Sequence, residues 1–236
     1  MKEKRRNKLT YGFINLNPLE NQTAGSFASF EITYTAGIYG MDDLGGLKFL
    51  FRYACDQSPL QFEDPKGVGY TTASASNGAA VELSYYLREG ERPWYKILRV
   101  RIAGRGLREG ETIKIKLGDR KDGSLGVRLQ TFVEPTFEFR TLVDVFSTNM
   151  FKQIKSPVIS IISGKPKKWK LILPTLRQVD ESFSLKIRGE DNWGNPTDKI
   201  EGHFFLKSNF PIKELPSNFH WDKGKHSIIF NKLSVG

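Results

Sequence analysis

GVRLQTFVEPTFEFRTLVDVF, residues 126–146, alternates apolar and polar side chains with a period of two, and that alternation decides the fold class. Val127, Leu129 and Thr131 fall on one face, and Arg128, Gln130 and Phe132 on the other. After Pro135 the pattern resumes, with Phe137, Phe139, Val143 and Val145 opposed to Glu138, Arg140 and Asp144. Successive side chains of a strand point to opposite faces, so the stretch predicts half-buried antiparallel strands in the middle of a sheet. KDGS, residues 121–124, supplies the turn before it.

Moving outward, the same signal repeats. Ala28, Phe30, Ile32 and Tyr34 share one face, and Leu47, Phe49, Phe51 and Tyr53 another. Leu98, Val100 and Ile102, then Ile113, Ile115 and Leu117, continue the series. Asn77-Gly78 between residues 70–76 and 81–87 reads as a hairpin turn. Asp56 to Gly69, with Pro59 and Pro65, reads as a long surface loop of the kind that often carries function. Short alternating strands at regular turn spacing predict an all-β protein whose first domain, residues 9–150, is a β-sandwich.

Residues 147–157 are polar and Lys-containing and mark a boundary. Beyond them Val158–Ile162, Lys168–Leu173, Phe183–Arg188, His203–Lys207 and Ser227–Phe230 are strand candidates. Residues 151–236 are therefore expected to form an immunoglobulin-like β-sandwich. Such a domain needs about seven strands, so this one is expected to be truncated, with the chain a fragment.

Composition narrows the chemistry. The formal charge of +10 is unevenly placed. The tail, residues 1–8, carries five basic groups and one acidic group; residues 9–149 carry 16 basic and 17 acidic; residues 150–236 carry 15 and 8. A neutral body with a basic flexible tail fits a solvated surface better than a nucleic-acid site. No apolar run reaches the length of a membrane span or a signal peptide, and a cytoplasmic protein is expected. The single Cys55 forms neither an internal disulfide nor a cysteine metal cluster and reads as a small core residue.

His203, His220 and His226 lack metal-ligand spacing, and Asp119, Asp122 and Asp42-Asp43 lack the regular oxygen ligands of a calcium loop. No nucleophile elbow, Walker loop or dinucleotide fingerprint is present, so no catalytic residue, metal or cofactor is expected. Two sets of side chains stand out instead. Tyr39, Phe62, Asp64, Tyr70 and Trp94 lie in or beside loops and form a candidate ligand-binding set, because aromatic platforms edged by charged groups hold sugars and peptides. The polar faces of Arg128, Gln130 and Arg140 are candidate interdomain contacts.

Several segments in order carry a family resemblance: AGS (24–26), FEITY (30–34), FRYA (51–54), QFEDP (61–65), YTTAS (70–74), RPWYK (92–96), LGDR (117–120), QTF (130–132), FEFR (137–140) and DNWGNP (191–196). Together they resemble the N-terminal region of the uncharacterised bacterial family named domain of unknown function 3604. Full-length members of that family resemble metal-dependent hydrolases of the polymerase-and-histidinol-phosphatase type. The resemblance implies a non-catalytic accessory scaffold for a downstream hydrolase domain or a separate partner subunit, or a homo-oligomer. The hydrolase part has no counterpart here, and no metal ligand carries over. The alternative from the residues themselves is a carbohydrate- or other ligand-binding module.

Overall fold

The computed structural model describes residues 10–236; the basic tail lies outside them. The chain is all-β and divides into two units, with the division at Ile161/Ile162. The first unit opens with β1 (Phe13–Asn17), β2 (Gln22–Thr23), β3 (Phe27–Ala28), β4 (Phe30–Thr35) and β5 (Gly46–Phe51). It continues with β6 (Thr71–Ala75), β7 (Ala80–Tyr86), β8 (Lys96–Ala103), β9 (Thr112–Leu117) and β10 (Val127–Arg128). β11 (Glu134–Glu138), β12 (Arg140–Asp144), β13 (Lys152–Gln153) and β14 (Val158–Ile162) complete its sheets.

Two sheets form its body, a four-stranded one in the order β1-β4-β9-β6 and a five-stranded one in the order β13-β12-β5-β8-β7. Their inner faces meet in one apolar core: Phe30, Ile32 and Tyr34 with Ile113 and Ile115 from the first, Phe49, Phe51, Leu98 and Val100 from the second. These are the positions that the period-two pattern assigns to one face, because a strand can bury alternate side chains only.

The stretch 126–146 is less regular than its alternation implies. Gly126 sits at φ +104° with an added Cβ meeting the Ala28 carbonyl at 2.4 Å, so the backbone approaches β3 too closely for any side chain. β10 lasts two residues before the chain leaves the sheet. At Phe139 the strand changes partners: β11 pairs with β14, whereas β12 pairs with β5. Phe137, Phe139, Val143 and Val145 are all buried, as the pattern predicts. Phe139 is 2% exposed and lies edge-on to Phe30, Phe51 and Phe137 at 5.2–5.9 Å.

Two sequence expectations change. Asn77-Gly78 does not close a hairpin: β6 pairs with β9 and β7 with β8, so the turn carries the chain from one sheet to the other. The Asn77 amide donates to the Gly106 carbonyl and to Glu111, anchoring the turn to a neighbouring loop rather than to paired strands. The unit boundary also lies beyond residue 150, because β13 pairs with β12 and β14 with β11, which keeps that segment in the first unit.

The second unit holds β15 (Lys168–Ile172), β16 (Phe183–Glu190), β17 (Gly202–Phe205), β18 (Ile212–Lys213), β19 (Asn218–Trp221) and β20 (Ile228–Val235). They form a sheet in the order β15-β16-β20-β18 and a β17-β19 pair. The small core joins Leu185, Ile187, Ile200 and Leu233 to Trp221, which is fully buried and donates through Nε1 to the Lys225 carbonyl at 3.0 Å. β15 departs from its expected half-burial: all five residues are exposed, Trp169 and Leu171 included.

The DNWGNP turn is held by one carboxylate. Asp191 is 2% exposed and accepts the backbone N–H groups of Gly164, Trp193 and Asn195, each at 2.9 Å. Burial alone would raise its pKa, but these donors and the Asn195 amide outweigh it and hold the carboxyl below the ordinary aspartate range. Among the described residues no helix is long and apolar enough to cross a membrane.

Two outcomes follow from this packing. Phe139→Ala will lower the stability of the first unit by about 3–5 kcal/mol through the cavity it leaves, whereas truncating the partly exposed Phe132 will cost less than about 1 kcal/mol; urea denaturation measures both. Asp191 binds its proton less tightly folded than unfolded, so the unfolded chain takes up more protons on acidification. Its stabilisation is complete above the ordinary aspartate pKa and is lost as pH falls through the depressed folded value. Asp191→Ala will therefore cost the second unit about 3 kcal/mol at neutral pH and flatten its acid transition, followed by the near-ultraviolet signal of Trp221.

Candidate arginine–aromatic site

The site forms where two neighbouring strands of the five-stranded sheet end and begin. β5 and β8 are antiparallel, with Phe51 opposite Lys96, so the residues leaving β5 meet those entering β8. That register brings Arg52 and Tyr53 beside Arg92, Pro93, Trp94 and Tyr95. The Tyr53 N–H donates to the Pro93 carbonyl at 2.7 Å. The loop closes on itself: the Glu89 and Gly90 N–H groups donate to the Tyr95 carbonyl at 3.2 and 3.4 Å, and the Trp94 N–H to the Glu91 carbonyl at 2.6 Å. A Cβ on Gly90 would lie 1.9 Å from the Trp94 carbonyl oxygen, so this fold of the loop requires glycine there. The Arg92–Pro93 peptide is cis.

On the outer face of this sheet the register aligns Arg140, Leu50, Ile97 and Tyr86 in one row. Leu50 and Ile97 point away from the main core, yet both are buried. Trp94 occupies this end of the sheet. The Arg140 guanidinium lies 4.9 Å from its ring centroid and that of Arg52 5.4 Å, both within cation–π range. Arg140 also donates to Gln153 at 2.9 Å, and Arg52 pairs with Glu134 at 2.8 Å. The indole is thus half-buried and fixed from two sides.

Beside it opens a groove of about 580 Å³ lined by Arg52, Tyr53, Arg88, Arg92, Pro93 and Tyr95. Tyr53 and Tyr95 meet edge to face at 5.6 Å, and Tyr53 is more than half exposed. Arg88 and Arg92 are exposed. A groove with aromatic walls, one guanidinium fixed by Glu134 and two more exposed at its sides can bind planar or cyclic ligands and hydrogen-bond their acceptors. Cys55, nearby in sequence, is buried, which pushes its thiol up to about 11 and disfavours the thiolate, and the Lys96 ammonium donates to its carbonyl.

The predicted ligand set is not one site. Tyr39 lies against Tyr11 and Phe146, each at 5.4 Å, at the Gly46 end of β5, whereas Trp94 lies at the Phe51 end. A strand of that length separates them by about 17 Å. Phe62 packs against the main core. Asp64 accepts the Lys66 N–H at 3.0 Å within its own turn, and Tyr70 is half-buried with its carbonyl bound by the Asp119 N–H at 2.7 Å. The loop that bears Phe62, Asp64 and Tyr70 is pinned in place, its Gly69 N–H bonding to the Gly126 carbonyl at 3.0 Å. Only Trp94 of the five belongs to the groove's surroundings.

The predicted interdomain contacts also divide. Gln130 is fully buried, its amide donating to the Phe132 carbonyl and to Glu134, so it presents nothing to a neighbour. Alternation placed it outward, but the chain has already left the sheet after Arg128. Arg128 spends its guanidinium inside the unit, donating to the Asp56 carbonyl at 2.6 Å and the Leu129 carbonyl at 3.3 Å. Arg140 joins Trp94 instead. The sequence marks Arg92 only as a charge beside the aromatic loops, and does not mark Arg52, Tyr53, Arg88 and Tyr95 as site residues. FRYA and RPWYK both stood out as segments, but only the β5–β8 register shows that they face each other.

Elsewhere, the His203 and His220 rings meet across β17 and β19 at 4.6 Å, tilted by 58° to one another, and His220 lies 3.7 Å from Asp222. Asp119 is buried, which alone would raise its pKa, but Thr72 and the Lys121 N–H hold it lowered as a turn brace. Among the described residues no three His, Cys, Asp or Glu side chains converge as a metal site would require. In comparisons with known proteins, no family model matches the chain and no curated protein matches it.

The stacked guanidinium makes a measurable claim. In a double-mutant cycle, Arg140→Ala and Trp94→Ala will be coupled by about 0.5–1 kcal/mol in the stability of the first unit. Additive effects would mean that the two side chains do not interact.

Proposed function

We propose that the first unit is a binding module for carbohydrate and that the groove between Tyr53, Tyr95 and the neighbouring arginines is its ligand site. The observation that carries this reading is the pairing of open aromatic walls with an indole locked by Arg52 and Arg140. Rigid aromatic faces match the apolar C–H faces of sugar rings, and a preorganised wall spares the ligand the entropy of ordering it. A volume of about 580 Å³ falls within the usual range of small-ligand sites. The reading is of binding rather than catalysis, because the charged groups on its walls are arginines, which neither take nor give protons near neutral pH.

A second reading is the accessory scaffold of a metal-dependent hydrolase, acting through a neighbouring domain, a partner subunit or self-association. It rests on the ordered motifs and is favoured by the exposed apolar side chains in and after β15, among them Trp169, Leu171 and Leu176. One experiment separates the two. Titration with a panel of oligosaccharides will quench tryptophan fluorescence saturably, and Trp94→Phe together with Tyr53→Ala will weaken binding by about tenfold or more. A flat response across the panel removes the binding reading and leaves the scaffold.

A further inference from the structure

Resting on the reading of the groove as a saccharide site, we propose that its ligand is an acidic glycan, recognised through the carboxylate of a uronic acid. The walls carry three guanidinium groups, on Arg52, Arg88 and Arg92, and no carboxylate. The loop's own acids, Glu89 and Glu91, stand outside them. Arg52 is already matched by Glu134 on one side. Arg88 and Arg92 differ: both are exposed, and neither is engaged in an ion pair or hydrogen bond among the described residues.

A guanidinium is a planar fork of donors that fits a carboxylate with two parallel hydrogen bonds, and its charge is fixed at every physiological pH. Two unmatched forks in the same groove as a pair of tyrosines therefore suit a ring that is apolar on its face and anionic at its edge. A neutral sugar would leave that charge without a counterpart. A nucleic acid would need a broad positive field, because its affinity comes from neutralising many phosphates at once. Residues 10–161 supply 18 basic groups against 17 acidic, so the positive charge here is local. Local charge fits one or two carboxylates.

The test uses the full chain and isothermal titration calorimetry with trigalacturonic acid, its methyl ester, a neutral trigalactan, a sulfated trisaccharide and a single-stranded oligonucleotide. Trigalacturonic acid will bind, and esterification, which removes charge but keeps the ring, will weaken binding by about tenfold or more. Raising the salt concentration will weaken the acid form alone. Arg88→Gln with Arg92→Gln will reduce affinity for the acid by about tenfold and affinity for its ester by less, so that the preference for the acid over the ester shrinks; both residues are exposed, and an unchanged circular dichroism spectrum and Tm will establish folding. Equal affinity for the acid, its ester and the neutral sugar overturns the inference while leaving the saccharide site intact. Silence from every saccharide overturns both. Tighter binding of the sulfated sugar or of the oligonucleotide overturns it in favour of that ligand.

Discussion

The ring of Phe139 lies where one strand is shared between two sheets. On its N-terminal side β11 pairs with β14, on its C-terminal side β12 pairs with β5, and the ring meets Phe30, Phe51 and Phe137 at the crossing. A strand that changes partners loses ladder continuity, and at the crossing the Phe139 N–H donates to the Pro157 carbonyl at 3.0 Å, so side-chain burial shares the task of fixing its path. Burial of the phenylalanine cluster does this, because it holds the rings of β4, β5, β11 and the crossing point in one apolar volume. With that point fixed, β12 runs in register with β5, and β5 with β8. The strand ends that carry Arg140, Arg52 and Trp94 are set by that alignment.

The arginine–aromatic groove depends on those strand ends. Arg140 is the first residue of β12, immediately after Phe139, and its side chain emerges on the opposite face from the core. Alternation therefore makes a buried ring and an outward guanidinium adjacent by necessity. The outward group then meets Trp94, delivered by the turn into β8. The ionic partner of Arg52, Glu134, belongs to β11 on the other side of the crossing. Two separated chain segments, 52–54 and 88–95, line the groove, and a third, which runs through Glu134 and Arg140 across the aromatic crossing, holds Arg52 and Trp94 beside it.

How much of this is legible in the sequence depends on which distance a feature spans. The inward faces of β4, β5, β8 and β9 follow from period two alone, since Phe30, Phe49, Leu98 and Ile115 are buried where the pattern puts them. Partner choice does not follow. Asn77-Gly78 has the residue types of a hairpin turn, but whether the flanking strands pair with each other is settled by which sheet has room for each, a long-range matter. Gln130 shows the limit of alternation: its neighbours stop being a strand after Arg128, and a buried amide cannot be told from an exposed one by composition. Trp94 and Arg140 were each singled out by type, yet assigned to different roles, because their meeting depends on register across β12, β5 and β8.

The Asn77-Gly78 crossover bears on colloidal behaviour. β6 and β7 are the outermost strands of their respective sheets, and the short connection between them holds the two edges in contact at a corner. Exposed strand edges are templates for pairing with other chains, and a corner of this kind shields two of them at once. In the second unit β15 has no such neighbour, pairs on one side only and carries Trp169 and Leu171 in the open. Lys168 and Lys170 alternate with them along that edge, so a strand pairing there would meet ammonium groups as well as apolar surface. The two edges thus differ in what stands beside them, a neighbouring strand in the first unit and lysine side chains in the second.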